Sequence, residues 1–144
     1  MKWFNSLQPL GLLLLRVALA IIFFSHGYPK LVHPAAMQGF YVQHGMPAYF
    51  DYGSGILELF GAGLLFLGLF TQPAALFLAI EMVVMIWKAY SSGGYLAVHE
   101  YEFPLTLATA CFALATTGAG LISIDHLLLG GGSKGPTPRP AKKK

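Results

Sequence analysis

The chain has 144 residues and a formal net charge of +3, with 56% hydrophobic and only 10% charged residues. A soluble domain carries about 25% charge and about 45–50% apolar residues, so this composition excludes a soluble enzyme and points to the bilayer. One domain over 1–129 is expected, because apolar helices and their loops use nearly all of the length and leave no room for an appended catalytic domain.

Lys2 precedes a leucine-rich run that has the character of a secretory signal. Arg16 interrupts that run and no Ala-x-Ala-like site follows it, so residues 1–27 are expected to persist as a permanent first helix. Spans are predicted over about 9–28, 54–70, 74–90 and 104–124, where only Arg16, Glu58, Glu81 and Lys88 break the apolar sequence. The fold class is therefore all-α, an integral membrane four-helix bundle. Lys2, Lys134, Arg139, Lys142, Lys143 and Lys144 fall on one side, against Lys30 and Lys88 on the other, which predicts both termini in the cytoplasm.

The connections differ in length. Pro29 to Gly53 forms a long first external loop with His33, His44, Tyr41, Tyr49, Phe50, Asp51 and Tyr52, expected to pack over the outer end of the bundle. Thr71-Gln72-Pro73 makes a minimal turn that sets the second and third helices side by side and antiparallel. A second external loop, Ser91 to Phe103, carries His99, Glu100, Tyr101 and Glu102. Gly118-x-Gly120 closes the fourth helix, and Ser123 and Asp125 are candidate caps of a short interfacial helix. From Gly130 onward the tail has Gly, Pro and Lys and no apolar run, so 130–144 is expected to be a disordered basic tail near anionic lipid.

Ionisable groups inside spans are costly and normally face a partner, a cavity or the protein interior. Counting about 1.5 Å per residue along each helix places Arg16 and Glu81 in one layer and Glu58, Lys88 and His26 in another. Arg16 with Glu81 is thus the expected intramembrane ion pair, and Glu58 with Lys88 a second. Glu58 shares its face with Ser54, Gly55, Gly61 and Ala62, small residues that permit close helix approach. A stripe of Thr106, Thr109, Ala113, Thr116 and Gly120 on the fourth helix offers hydroxyls to the interior. Such pairs either fix helix register and do nothing more, or, with His26, line a pocket that binds a polar head group or passes protons to a redox carrier.

The remaining chemistry is narrower. No metal is expected: Glu-x-x-His and paired His at helical spacing are missing from the spans, although His26, His33, His44 and His99 lie toward the outer surface. Cys111 is the single cysteine, so thiol–disulfide exchange within one chain is excluded and the residue reads as a packing group. There is no phosphate-binding glycine loop, no Ser-His-Asp arrangement, and no basic aromatic stripe for nucleic acid.

Several landmarks occur in a recognisable order: Arg16; His26-Gly27-Tyr28-Pro29-Lys30; Gly45-Met46-Pro47; Glu58 followed by Gly61; Glu81-Met82; Glu102; and Gly118-Ala119-Gly120-Leu121-Ile122-Ser123-Ile124-Asp125. Together they resemble the DoxX family of small four-span membrane proteins, over roughly residues 9–128. The resemblance implies a membrane protein of redox metabolism, associated with quinone-coupled thiosulfate oxidation and with complexes that join a sulfurtransferase and a superoxide dismutase at the membrane. On that basis a quinone head group would meet His26, Glu58, Lys88 and Glu102, with His26 and Glu58 as candidate catalytic acid or base groups. A non-catalytic membrane scaffold for soluble redox enzymes and a small-molecule or proton transporter are the other readings, and the sequence leaves homo-oligomerisation open.

Overall fold

A computed structural model describes residues 6–33, 35–90 and 98–129, and every regular element in it is a helix. The chain runs α1 (Gln8–Val32), α2 (Ala35–Gln43), α3 (Phe50–Leu67), α4 (Thr71–Met85), a π-helical turn (Ile86–Tyr90), α5 (Val98–Thr117) and α6 (Ile124–Leu129). Three helices, Gln8–Val32, Phe50–Leu67 and Thr71–Ala89, are long and apolar enough to cross a membrane. The predicted fourth segment, 104–124, is shifted: α5 starts at Val98 and stops at Thr117, where Gly118 and Gly120 take positive φ values of 82° and 78°. The tail 130–144 and residues 91–97 of the second external loop lie outside the described residues.

α1 also exceeds its predicted end at Tyr28. Pro29 is carried inside its last turn and the helix closes only when His33 N donates to Pro29 O at 2.8 Å. That added turn keeps Lys30 on the helix rather than in a loop. α3 likewise begins before Ser54, which places Asp51 in its first turn, the end at which the helix dipole favours an acidic group.

α1 packs most heavily on α3, α4 on α5, and α3 adjoins α4. The α1–α3 crossing is close because Gly27 has no side chain: a Cβ there would lie 2.9 Å from both Glu58 Cβ and Leu59 N. Leu19, Phe23, Leu65, Leu78, Cys111 and Leu114 fill the core between the helices. Outward, Ile21, Phe24, Phe60, Phe77, Val83 and Phe112 are exposed apolar side chains, the surface expected where the solvent is lipid.

The connection between α3 and α4 falls at Gly68-Leu69-Phe70 rather than at Thr71-Gln72-Pro73. Gly68 is left-handed (φ 68°) and Leu69 N returns to Leu64 O at 3.0 Å, so the orphan carbonyls of the helix end are met. The new helix is capped from a distance. Asp125 Oδ1 accepts from Phe70 N at 2.7 Å and Oδ2 from Thr71 N at 2.9 Å. Of the two candidate caps of the short helix α6, only Ser123 fills that role, accepting from His126 N at 3.1 Å.

The threonine stripe of α5 does not bond across the interior. Thr106, Thr109 and Thr116 are exposed, and each hydroxyl donates to a carbonyl of its own preceding turn. A hydroxyl satisfied at i−4 requires no cross-helix acceptor.

Candidate functional site

At the α2 end, α1, α3, α4 and α5 enclose a cavity of about 280 Å³. Most of its wall is apolar and soft, with Phe23, Phe40, Met82, Met85, Phe103 and Leu107. Tyr41 closes it from α2, fully buried, and that helix supplies the cover expected of the first external loop. The charged or ionisable groups on the wall are His26, Lys30 and Glu58.

Helix spacing explains the convergence. His26 and Lys30 are four apart on α1, as Ser54 and Glu58 are on α3, so each pair shares a face. With Gly27 drawing the helices together, Lys30 Nζ donates to Glu58 Oε1 at 2.8 Å and to Ser54 Oγ at 2.7 Å. Ser54 Oγ in turn donates to Glu81 Oε1 at 2.5 Å, and Tyr41 Oη reaches Ser54 Oγ at the 3.5 Å limit of a hydrogen bond. A polar chain therefore runs from the cavity wall to α4. Lys30, Ser54, Glu58 and Glu81 are all buried, and Asp51 is completely so.

Several of these buried oxygens are unsatisfied. Glu58 Oε2, Glu81 Oε2 and both carboxylate oxygens of Asp51 have no hydrogen-bond partner. A buried acceptor left unmet costs about 1–3 kcal/mol. Such a group marks either a strained structural position or a place where a ligand completes the bonding.

The structure redistributes the ionisable residues. Arg16 does not meet Glu81: its guanidinium donates to Ala119 O at 2.7 Å and Ile122 O at 2.8 Å, on the irregular segment after α5. The first turns of α1 overhang the α3–α4 connection, where a Cβ at Gly68 would lie 2.5 Å from Arg16 Nη1, so depth counted from the apolar boundary misplaces the arginine. Glu58 does not pair with Lys88. The π turn begins at Ile86 and breaks the α-helical register that would have aligned Lys88 with Glu81. Ala89 is buried instead, and Lys88 is exposed with its ammonium 4.6 Å from the Trp87 ring centroid. Glu102 is exposed and is not part of the cavity wall, although its neighbours Phe103 and Pro104 are.

His26 and Glu58 both reach the cavity. His26 is exposed at its rim, 5.6 Å from the Phe103 ring, and its Nδ1 lies 2.8 Å from Ile22 O. Sequence reasoning missed Lys30, Ser54 and Asp51 as members of the polar group. The signal for Lys30 was its i+4 relation to His26, hidden by reading Pro29 as a stop. Among the described residues no cluster of three or more His, Cys, Asp or Glu side chains is arranged to hold a metal ion. Cys111 is buried in the α5 core.

Comparison with known proteins gives these residues a context. The DoxX family model matches residues 11–91. CatD of Bacillus subtilis, provisionally named an oxidoreductase, is 29% identical over 131 residues, covering 91% of this chain and 96% of that protein. The Escherichia coli inner membrane protein YqjF is 32% identical over 127 residues, covering 86% and 96% respectively. Inner membrane protein YphA of the same organism is 30% identical over 131 residues, covering 85% and 94%. No solved structure matches the chain.

Proposed function

The chain belongs to the DoxX family of integral inner-membrane proteins of bacteria, and on that premise we propose that it is a redox-associated subunit whose cavity receives a quinone head group. The observation that carries this reading is the convergence of His26, Lys30 and Glu58 on an otherwise aromatic and methionine-lined cavity inside a lipid-facing bundle. Small-molecule sites have this form, mainly apolar with a few placed polar groups, and span about 300–1,000 Å³. At about 280 Å³ the cavity suits one ring, and a prenyl-type tail would lie along the apolar outer surface.

The residues fit such a group. Phe23, Phe40 and Phe103 offer ring faces, Met82 and Met85 a deformable wall, and Glu58 Oε2 an unused acceptor. A bound quinone supplies a carrier of two electrons and two protons, the electrons being exchanged with a soluble sulfur- or oxidative-stress enzyme at the membrane. The chain itself handles protons. Lys30 Nζ keeps one N–H after its bonds to Ser54 and Glu58, and His26 Nε2 faces the rim as the ring nitrogen not tied to Ile22. Either stands where a general acid or base must stand, within reach of the head group. Ser54, bonded to both Lys30 and Glu81, connects the wall to a second carboxyl.

The same reading takes α5 as a fourth span, which sets both termini in the cytoplasm and the cavity toward the outer face. Its test is mass spectrometry of the protein extracted gently from its own membranes, with bound lipids and co-purifying proteins read in one sample. Stoichiometric quinone that disappears in a His26→Ala/Glu58→Gln variant is the expected result. Soluble partners without quinone, or quinone retained by the double variant, would overturn it and leave a scaffold that anchors soluble enzymes.

A further inference from the structure

The hydrogen-bonding inventory of the cavity is lopsided. Glu58 Oε1 takes the Lys30 ammonium at 2.8 Å, while Oε2 has no donor and is sealed from water. An ionised carboxylate accepts and never donates. His26 Nδ1 stands 2.8 Å from the carbonyl of Ile22, and a carbonyl only accepts, so Nδ1 carries the proton. Nε2 of the neutral ring is then an acceptor. The Tyr41 hydroxyl directs its proton toward Ser54, which leaves lone pairs on its oxygen. Against these acceptors stands one free donor. Of the three N–H groups of Lys30, two are committed to Ser54 and Glu58.

An oxidised quinone ring brings carbonyl acceptors and no donor. It would satisfy the free Lys30 N–H and leave Glu58 Oε2 and His26 Nε2 unmet. A hydroquinone ring brings hydroxyls that donate to those acceptors, while one of its oxygens still accepts from Lys30. We infer that the cavity is built for the reduced, hydroxyl-bearing form of the ring and binds it more tightly than the oxidised form. This inference rests on the quinone reading of the same cavity and adds its redox selectivity.

The buried acceptor sets the size of the effect. Satisfying or abandoning one such oxygen corresponds to a preference of about 10- to 100-fold for the reduced ring. Tighter binding of the reduced form makes it harder to oxidise in place, so the two-electron midpoint potential of the bound couple rises, by about 30 mV for each tenfold of preference. The protein then acts as a site that retains the quinol product of reduction and releases the quinone.

The test is anaerobic titration of the full chain in lipid nanodiscs with a decyl-substituted 1,4-benzoquinone and, separately, with its hydroquinone. Binding is read by calorimetry, so neither turnover nor a partner enzyme is needed. The expected result is at least tenfold tighter binding of the hydroquinone. Glu58→Gln gives the site an amide that donates as well as accepts and should shrink the preference toward unity. His26→Phe, at the exposed rim and outside the buried pair, should reduce it by a smaller factor. Equal or tighter binding of the oxidised ring would overturn the selectivity and leave the quinone reading standing. Binding of neither ring would overturn both.

Discussion

The ammonium of Lys30 and Glu58 Oε1 lie 2.8 Å apart, between α1 and α3, with 7% and 4% of the respective side chains exposed. Removing one member of such a pair strands the other charge out of reach of water, at about 3–5 kcal/mol, whereas replacing both by apolar groups of similar volume is often close to neutral. Lys30→Met and Glu58→Leu should therefore each lower the thermal unfolding midpoint in detergent, and the double variant should recover most of the loss. Additive single effects would show that the two charges do not support each other.

Gly27 tests the packing that creates this pair. Its missing Cβ leaves room for Glu58 Cβ and Leu59 N at 2.9 Å, and Leu59 N is backbone that cannot swing aside. Gly27→Ala should force α1 away from α3, cost about 1–3 kcal/mol as overpacking does, and weaken binding in the cavity. Gly63, where an added Cβ meets nothing within 4 Å, is the control. Gly63→Ala should leave both unfolding and binding unchanged.

Asp125 caps a helix that it does not belong to. Asp125→Ala removes the acceptors of Phe70 N and Thr71 N together, so a loss at the upper end of the usual cap range, about 2 kcal/mol, is expected. Asp125→Asn retains one carbonyl acceptor and should lose less. Thermal melts of the two variants side by side give the ordering, and equal losses would point to charge rather than hydrogen bonding.

Arg16 and Glu81 share no hydrogen-bond partner: the first is held by Ala119 O and Ile122 O, the second by Ser54 Oγ. A double-mutant cycle with Arg16→Met and Glu81→Gln should be additive to within about 0.3–0.5 kcal/mol. Coupling well above that range would restore the intramembrane pair that helix depth alone suggests. Arg16→Lys should also destabilise, because a single ammonium does not reproduce the planar fork that spans two carbonyls.

Sequence reading reached the helical architecture and the family because both rest on strong signals: long apolar runs, and an ordered set of landmarks from Arg16 to Asp125. Glu58, Gly55 and Gly61 were legible on one face because α3 is a regular helix whose register can be counted. The partner assignments failed where regularity failed. Lys30 was lost because a proline is tolerated in the last turn of α1, and Lys88 was misplaced because a π turn breaks the α-helical register at Ile86. The α5 threonines looked inward-facing by composition, yet their own helix had already claimed the hydroxyls. Asp125 illustrates the remaining gap, since nothing local at position 125 indicates that Phe70 and Thr71, more than fifty residues earlier, supply its partners.

The two ends of the bundle are held together very differently. At the Gly68 end, Arg16 grips the segment after α5, Asp125 grips the start of α4, and Asp125 N closes on Gly68 O at 2.8 Å. At the other end α1 and α3 meet across Lys30 and Glu58, with α2 resting on top. A bundle tied so unevenly flexes like a clothes-peg. The knotted end is its fulcrum, and any parting of the helices to admit a ring from the bilayer falls to the jaws around Lys30 and Glu58.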